Sequence, residues 1–305
     1  MGNKRASRCF TLAKPVPVGR IDPTVAGWTL AGLLFDAGLR VTLAELRQAF
    51  RGNRLGWVLP INFLVIPALT LLGVTWLALP IPLATGMVIL AASPFAPVVP
   101  IFSRFARADL ALSAGLTAVF PLICVVLTPV VCMVALPFLS GAEALDFHVG
   151  RILLVLFVSV TLPLIMGLVV RHYRPGWVCK IQKPILWFGE TAGSISLIFV
   201  TISEGARILQ TGWVALALMV ALFEISLFLG YITCGPGTAA RRAVALGSAN
   251  RNIALGILVA LGSFPDSEVV AGVVANGLLM ILLGLVHTGI WRWGFPVEGN
   301  QRSSA

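Results

Sequence analysis

The chain has 305 residues, 58% of them hydrophobic and only 11% charged, with a formal net charge of +10 and a mean hydropathy of +0.96. That composition excludes a soluble globular domain, which would interleave its apolar runs with charged faces, and it indicates an integral membrane protein whose solvent is the lipid bilayer. The surplus Lys and Arg sit in short clusters between apolar runs and form no basic-aromatic module, which excludes nucleic acid as a partner.

Five scattered cysteines (Cys9, Cys124, Cys132, Cys179, Cys234) make no C-x-x-C pair, and His148, His172 and His287 are dispersed. No H-E-x-x-H, P-loop or dinucleotide fingerprint stands where it would have to work. The expectation is a protein with no catalytic residues, no metal site and no organic cofactor: not an enzyme.

In chain order, a basic tail (1–23) with Lys4, Arg5, Arg8, Lys14 and Arg20 precedes the first apolar run and is too short in apolar residues for a signal-peptide core. About nine spans follow, near 24–40, 55–79, 83–103, 110–139, 151–170, 185–204, 211–233, 245–263 and 269–291. Between the first two, "RVTLAELRQAFRGNR" spaces Val41, Leu43, Leu46, Ala49 and Phe50 helically among arginines, as an interfacial amphipathic helix does.

Threaded in order, the nine spans put Arg40 to Arg54, Arg104 with Arg107, Arg171 to Lys183, Arg241 with Arg242, and Arg292 on one side. The neutral or acidic loops "PIPLA", "SGAEALDFHVG", "SEGARILQ" and "FPDSEVV" fall on the other. The positive-inside rule makes the first side cytoplasmic, with the C-terminal tail (293–305) inside a cell membrane crossed many times. The basic tail then falls outside, and three readings of it stand open: a lost first helix, a start site at an unnatural position, or a segment folded onto the membrane.

Two spans are interrupted. In "ILAASPFAPVVPIFSRFARAD" (89–109), Pro94, Pro97 and Pro100 recur every three residues, and three prolines cannot share one regular helix. In "ALGSANRNIALGILVALG" (245–262), Ser248, Asn250 and Asn252 surround Arg251 at a point of low helix propensity. Unwound backbone at membrane depth is tolerated only where protein or a watery cavity covers it. Interrupted helices at corresponding places in two halves point to a secondary-transporter site near the midplane, whereas the plainer alternative is a pair of proline kinks.

The strings "GLRVTLAELRQAFR", "NFLVIP", "ASPFAPVVPIFSRFARADLALSAGLTAVFPLICVVLTP" and "LGYITCGPGTAARRAVALGSANRNIALGILVAL" resemble, in order and spacing over most of residues 30–265, the bile acid:sodium symporter family. The resemblance implies an all-α polytopic fold, an inverted repeat with two broken crossing helices, in which a core domain moves against a panel domain. On this chain the panel takes 24–54, with its amphipathic segment, and 151–204; the core takes 55–139 and 211–292. The resemblance also implies secondary transport of a small organic anion, usually with sodium.

Position by position, Ser113 and Thr117 match hydroxyl-bearing ion ligands, and Asn62 stands where the family often has Gln. Val99-Pro100 replace a Ser-Asn, Gly247 stands at the place of an acid, and Arg251 at that of a Gln. The last changes argue against Na+: a fixed guanidinium repels a cation whose site lacks a carboxylate.

The reading is that Arg251 takes over the ion's charge and is free to pair bidentately with a substrate carboxylate or an internal acid. Ser248, Asn250, Asn252 and Glu190 complete the expected substrate-binding set. Ionisable residues within spans are functional candidates by default. Glu190 and Glu224 are the candidates for proton coupling, and Asp36 is either a further functional acid or, more plainly, an i,i+4 partner of Arg40. The alternative function is a membrane ligand-binding or sensor protein of the same fold that does not transport.

Overall fold

The computed structural model describes residues 23–40, 42, 55–140, 149–174, 212–264 and 268–294, with a few positions between 176 and 191. The basic tail, the amphipathic segment, Glu190 and most of the span expected at 185–204 lie outside the described residues, as does the C-terminal tail from 295.

The helices are α1 (Pro23–Arg40), α2 (Gly56–Trp76), α3 (Ile81–Ala91), α4 (Val99–Phe105), α5 (Leu110–Ala135), α6 (Ile152–Tyr173), α7 (Trp213–Thr233), α8 (Thr238–Ala249), α9 (Ile253–Ser263) and α10 (Glu268–Trp293). Among the described residues, α2, α6, α7, α10 and the helix that begins as α5 are long and apolar enough to cross a membrane, and α3 and α9 are shorter apolar helices. This is a polytopic helical membrane protein.

Its outer surface carries Leu64, Leu72, Leu154, Phe228 and Leu285 in the open, as a lipid-facing surface requires. Exposed Trp57 and Trp76 stand near the two ends of α2. Their separation, about 28 Å at 1.5 Å per residue, matches a hydrocarbon core of about 30 Å with interfacial tryptophans at each edge.

Lipid offers no hydrophobic drive for helix association, so close approach depends on small residues. A Cβ built on Gly38 of α1 would run into the Leu164 carbonyl of α6, and one on Gly167 of α6 into the Phe35 carbonyl of α1. Gly230 plays the same part between α7 and α8, where a Cβ would lie 2.8 Å from the Ala245 Cα. The buried core gathers around α3, α5, α8, α9 and α10, which enclose the two interruptions.

Candidate functional site

The first interruption spans the residues between α3 and α4, and Pro94 and Pro97 are its cause: neither offers an N–H to continue the ladder. The second is Asn250 to Asn252, between α8 and α9. The two pass each other as an antiparallel bridge between Pro94 and Arg251. Phe95 N–H donates to the Gly247 carbonyl (3.3 Å), Ala96 N–H to Asn250 (3.1 Å), and Asn252 N–H to Ser93 (2.7 Å). Each unwound strand thus satisfies the other, as buried backbone at this depth demands. Beyond the crossing, α9 restarts on its own cap: Asn252 Oδ1 accepts from Leu255 N–H at 3.1 Å.

Arg251 lies at the centre and is 2% exposed. Its Nη1 donates to the Ala91 carbonyl (3.0 Å) and the Asn62 carbonyl (3.5 Å). Both acceptors are made available by local sequence. Ala91 ends α3, and the N–H four residues on, at Phe95, is given to Gly247 instead.

Asn62 lies in a π-helical turn, Ile61–Val65, where Ile66 N–H reaches back to Ile61. The next residue in that register is Pro67, which has no N–H for Asn62, so the carbonyl turns to Arg251. The carboxyl end of α3 also carries the negative pole of its dipole, a favourable place for a guanidinium. Arg251 Nε and Nη2 find no hydrogen-bond partner among the described residues.

The other carbonyls at the start of the first interruption are also taken. Thr128 Oγ1 donates to Ala92 at 2.7 Å, Asn252 N–H takes Ser93, and the Cys124 thiol approaches Pro94 at 3.9 Å. Phe95 has φ of 62°, a left-handed conformation that costs a residue with a side chain of order 1–3 kcal/mol. That conformation aims its ring at Gly247, where an added Cβ would strike it. The ring stacks on Phe120, centroids 4.0 Å apart, and Phe120 stacks on Phe63 at 5.9 Å, so three buried rings from α2, α5 and the first interruption form one column.

The residues singled out from sequence separate into groups. Asn62, Ser248 and Arg251 form one network: Asn62 Nδ2 donates to Ser248 Oγ (3.0 Å) while its carbonyl accepts from Arg251. Asn250 and Asn252 flank it; Asn250 Nδ2 donates to Leu246 (2.8 Å), and Asn250 Oδ1 and Asn252 Nδ2 are buried without a partner among the described residues. Ser113 is apart from that network, accepting from Ser103 Oγ at 2.9 Å and so tying α5 to α4.

Thr117, its hydroxyl buried and without a partner among the described residues, lines a cavity of about 50 Å³ with Asp36, Arg40, Pro97 and Pro100. Asp36 and Arg40 form the expected i,i+4 pair at 2.6 Å. Glu224 lies near the middle of α7 and is not enclosed by protein: its side chain is 44% exposed, and it faces His287 Nε2 of α10 at 3.2 Å. His287 Nδ1 is 3.0 Å from the Leu283 carbonyl, which fixes the hydrogen on that nitrogen.

Sequence reasoning passed over Phe95, Phe120, Thr128 and Ser103. A faint signal existed for Phe95, an aromatic residue held between two prolines in "SPFAP". None existed for Thr128, whose partner lies 36 residues away.

Residues 28–212 match the model of the sodium bile acid symporter family. The chain is 24% identical over 301 residues to the probable sodium/metabolite cotransporter BASS1, chloroplastic, of Arabidopsis thaliana, covering 94% of this chain and 71% of the relative. It is 23% identical over 291 residues to the probable sodium/metabolite cotransporter BASS2, chloroplastic, of Oryza sativa subsp. japonica, covering 90% and 67%. The family model ends before α7, whereas these alignments continue through the second interruption. With two interrupted helices crossing inside a bundle of apolar helices, and a family model matched over more than half of its length, the chain belongs to the sodium bile acid symporter family.

Proposed function

We propose that this chain is a secondary transporter of a small organic anion, working by alternating access in the cell membrane with its C-terminus cytoplasmic, and driven by protons or uncoupled rather than driven by sodium. The observation that carries the reading is the unsatisfied edge of Arg251. Nη1 is engaged with carbonyls, but Nε and Nη2, the two donors that grip a carboxylate side by side, are buried with no partner among the described residues.

A buried guanidinium edge left unmade is costly, and an anion delivered to it is worth correspondingly more. Asn252 Nδ2, at the head of α9, is a second buried donor without a partner among the described residues. In the domain division read from sequence, α1 and α6 belong to the panel and the crossing to the core. The 50 Å³ cavity between α1, α5 and the first interruption is far smaller than the roughly 300–1,000 Å³ of a small-molecule site, so in this reading the two domains part to admit a substrate.

The chloroplast relatives are named sodium/metabolite cotransporters. Sodium suits this crossing poorly: it needs several free oxygen ligands and a balancing negative charge. Here the backbone carbonyls of Asn62 and of residues 91–94 are already engaged with a guanidinium among their donors, and the side-chain oxygens without a partner among the described residues, such as Asn62 Oδ1, Asn250 Oδ1 and Thr117 Oγ1, carry no charge. For a proton, the Glu224–His287 pair is the candidate among the described residues: Nε2 and the carboxylate lie 3.2 Å apart, within reach for a proton to pass between them.

Counterflow in proteoliposomes across a panel of labelled small carboxylates tests the function. Exchange with at least one of them is expected, stimulated by a pH gradient or by neither gradient. Arg251→Gln is expected to weaken binding of the exchanged anion at least tenfold. Uptake driven by a sodium gradient and indifferent to pH would overturn the coupling reading, and binding without exchange would show a sensor in place of a transporter.

A further inference from the structure

Crossing helices of unwound backbone present a problem of assembly: carbonyl oxygens from several segments converge in a medium without water, and something positive must hold them together. In this chain the converging oxygens of residues 91–94 each have a protein donor. Ala91 and Asn62 share Arg251 Nη1, Ala92 has Thr128 Oγ1, Ser93 has the Asn252 N–H, and Pro94 has the Cys124 thiol. On the opposite side of the crossing, the Gly247 and Asn250 carbonyls accept from Phe95 and Ala96 N–H.

The volume beside Gly247, where any side chain would have to go, is taken by the Phe95 ring, held in its left-handed conformation and stacked on Phe120. No carboxylate can stand at position 247 with that ring in place. The buried side-chain oxygens left without a partner among the described residues, Asn62 Oδ1, Asn250 Oδ1 and Thr117 Oγ1, are uncharged and would leave a cation unbalanced beside the guanidinium.

We infer that the crossing is closed permanently by two of the chain's own side chains: Arg251, as a tethered cation joining α2, α3 and the second interruption, and Phe95, as a wedge against Gly247. The core therefore assembles without sodium or any other bound cation. This concerns how the site is built and does not rest on the identity, or even the existence, of a transported anion. Arg251 divides its donors, with Nη1 for the crossing and the Nε–Nη2 edge left over. Relative to an ion that comes and goes, a tethered guanidinium holds the two interruptions in register throughout any transport cycle, so motion has to occur between this unit and the α1–α6 pair and not within the crossing.

The test is thermal unfolding of the purified full-length protein in detergent, independent of any substrate. For the unaltered chain, replacing sodium chloride by choline chloride at equal ionic strength should leave Tm unchanged; a rise specific to sodium would overturn the inference. Arg251→Ala should lower Tm by roughly 5–10 °C, since it strips the donor from two buried carbonyls. Millimolar guanidinium chloride, but not choline chloride, should restore at least half of that loss by entering the space the side chain vacates.

An Arg251→Ala protein as stable as the original, or one that guanidinium does not rescue, would overturn it. Should Arg251→Ala fail to fold, Arg251→Lys serves: an ammonium that keeps the charge and lacks the planar fork should fold with a smaller loss of Tm, still indifferent to sodium. An Arg251→Lys protein that is equally unfolded would refute the charge as the holding element. Absence of counterflow by the unaltered chain, with guanidinium rescue of Arg251→Ala intact, would leave the crossing as described and remove only the transport reading.

Discussion

The two interruptions do the same topological work with opposite chemistry. The first is broken by prolines, which delete N–H groups, so residues 91–94 are left with more carbonyls than donors. The second is broken by asparagines around an arginine and is rich in donors, of which the Arg251 guanidinium and the Asn252 N–H cross to the first. In return, the Phe95 and Ala96 N–H groups of the first supply the Gly247 and Asn250 carbonyls of the second. Neither would be tolerable alone at membrane depth, where each unpaired group costs several kcal/mol. Complementary segments of this kind fix register as well as supplying energy, because a shift of one residue would misalign three backbone hydrogen bonds and the guanidinium together.

The comparison can be broken most severely at the point of closest packing. Gly247→Ala drives a Cβ into the Phe95 ring and should cost about 1–3 kcal/mol by overpacking, read as a fall in Tm; adding Phe95→Leu should recover part of it, the signature of a coupled pair. Next comes the acceptor-rich side. Thr128→Val keeps the shape of the side chain and orphans the Ala92 carbonyl, for an expected loss of about 1–3 kcal/mol with the folded helix content unchanged by circular dichroism.

On the donor-rich side, Ser248→Ala removes only one of two acceptors for Asn62 Nδ2, which retains the Val58 carbonyl at 2.9 Å. A loss of about 0.5–1.5 kcal/mol in the same unfolding assay is expected, below the Thr128 effect. A comparably small change should come from outside the crossing. Asp36→Asn takes the charge out of the i,i+4 pair with Arg40, in which Arg40 is partly exposed and Asp36 buried, and should shift stability by about 1 kcal/mol. A larger loss from Asp36→Asn than from Thr128→Val, under the same assay, would show that the crossing is not the most tightly held part of the molecule.

Much of this was legible without coordinates. Three prolines three residues apart, and an arginine between asparagines in an apolar run, locate both interruptions because a missing N–H breaks a helix locally and a charge in an apolar run carries a desolvation cost whatever its eventual partner. The i,i+4 pairing of Asp36 with Arg40 was legible for the same reason, since a helix places those residues on one face. The surroundings of Glu224 were not legible in the same way. Its place along a span was readable, but which face of α7 turns outward depends on how α10 packs against it, and that helix brings His287. The Phe95 wedge was invisible because its partner Gly247 lies in a segment far along the chain, and a glycine within a helix does not announce which ring lies over it.

By itself, then, the sequence determined the solvent of this protein, its helical class, the places where its helices break and the residue that carries charge into the membrane. These follow from composition and from short-range covalent chemistry. Only the tertiary structure decided what the charge is for. A buried guanidinium has no meaning until its acceptors are known. Those acceptors, a carbonyl freed by Pro67 in one helix and the last carbonyl of another, are supplied by segments 189 and 160 residues away.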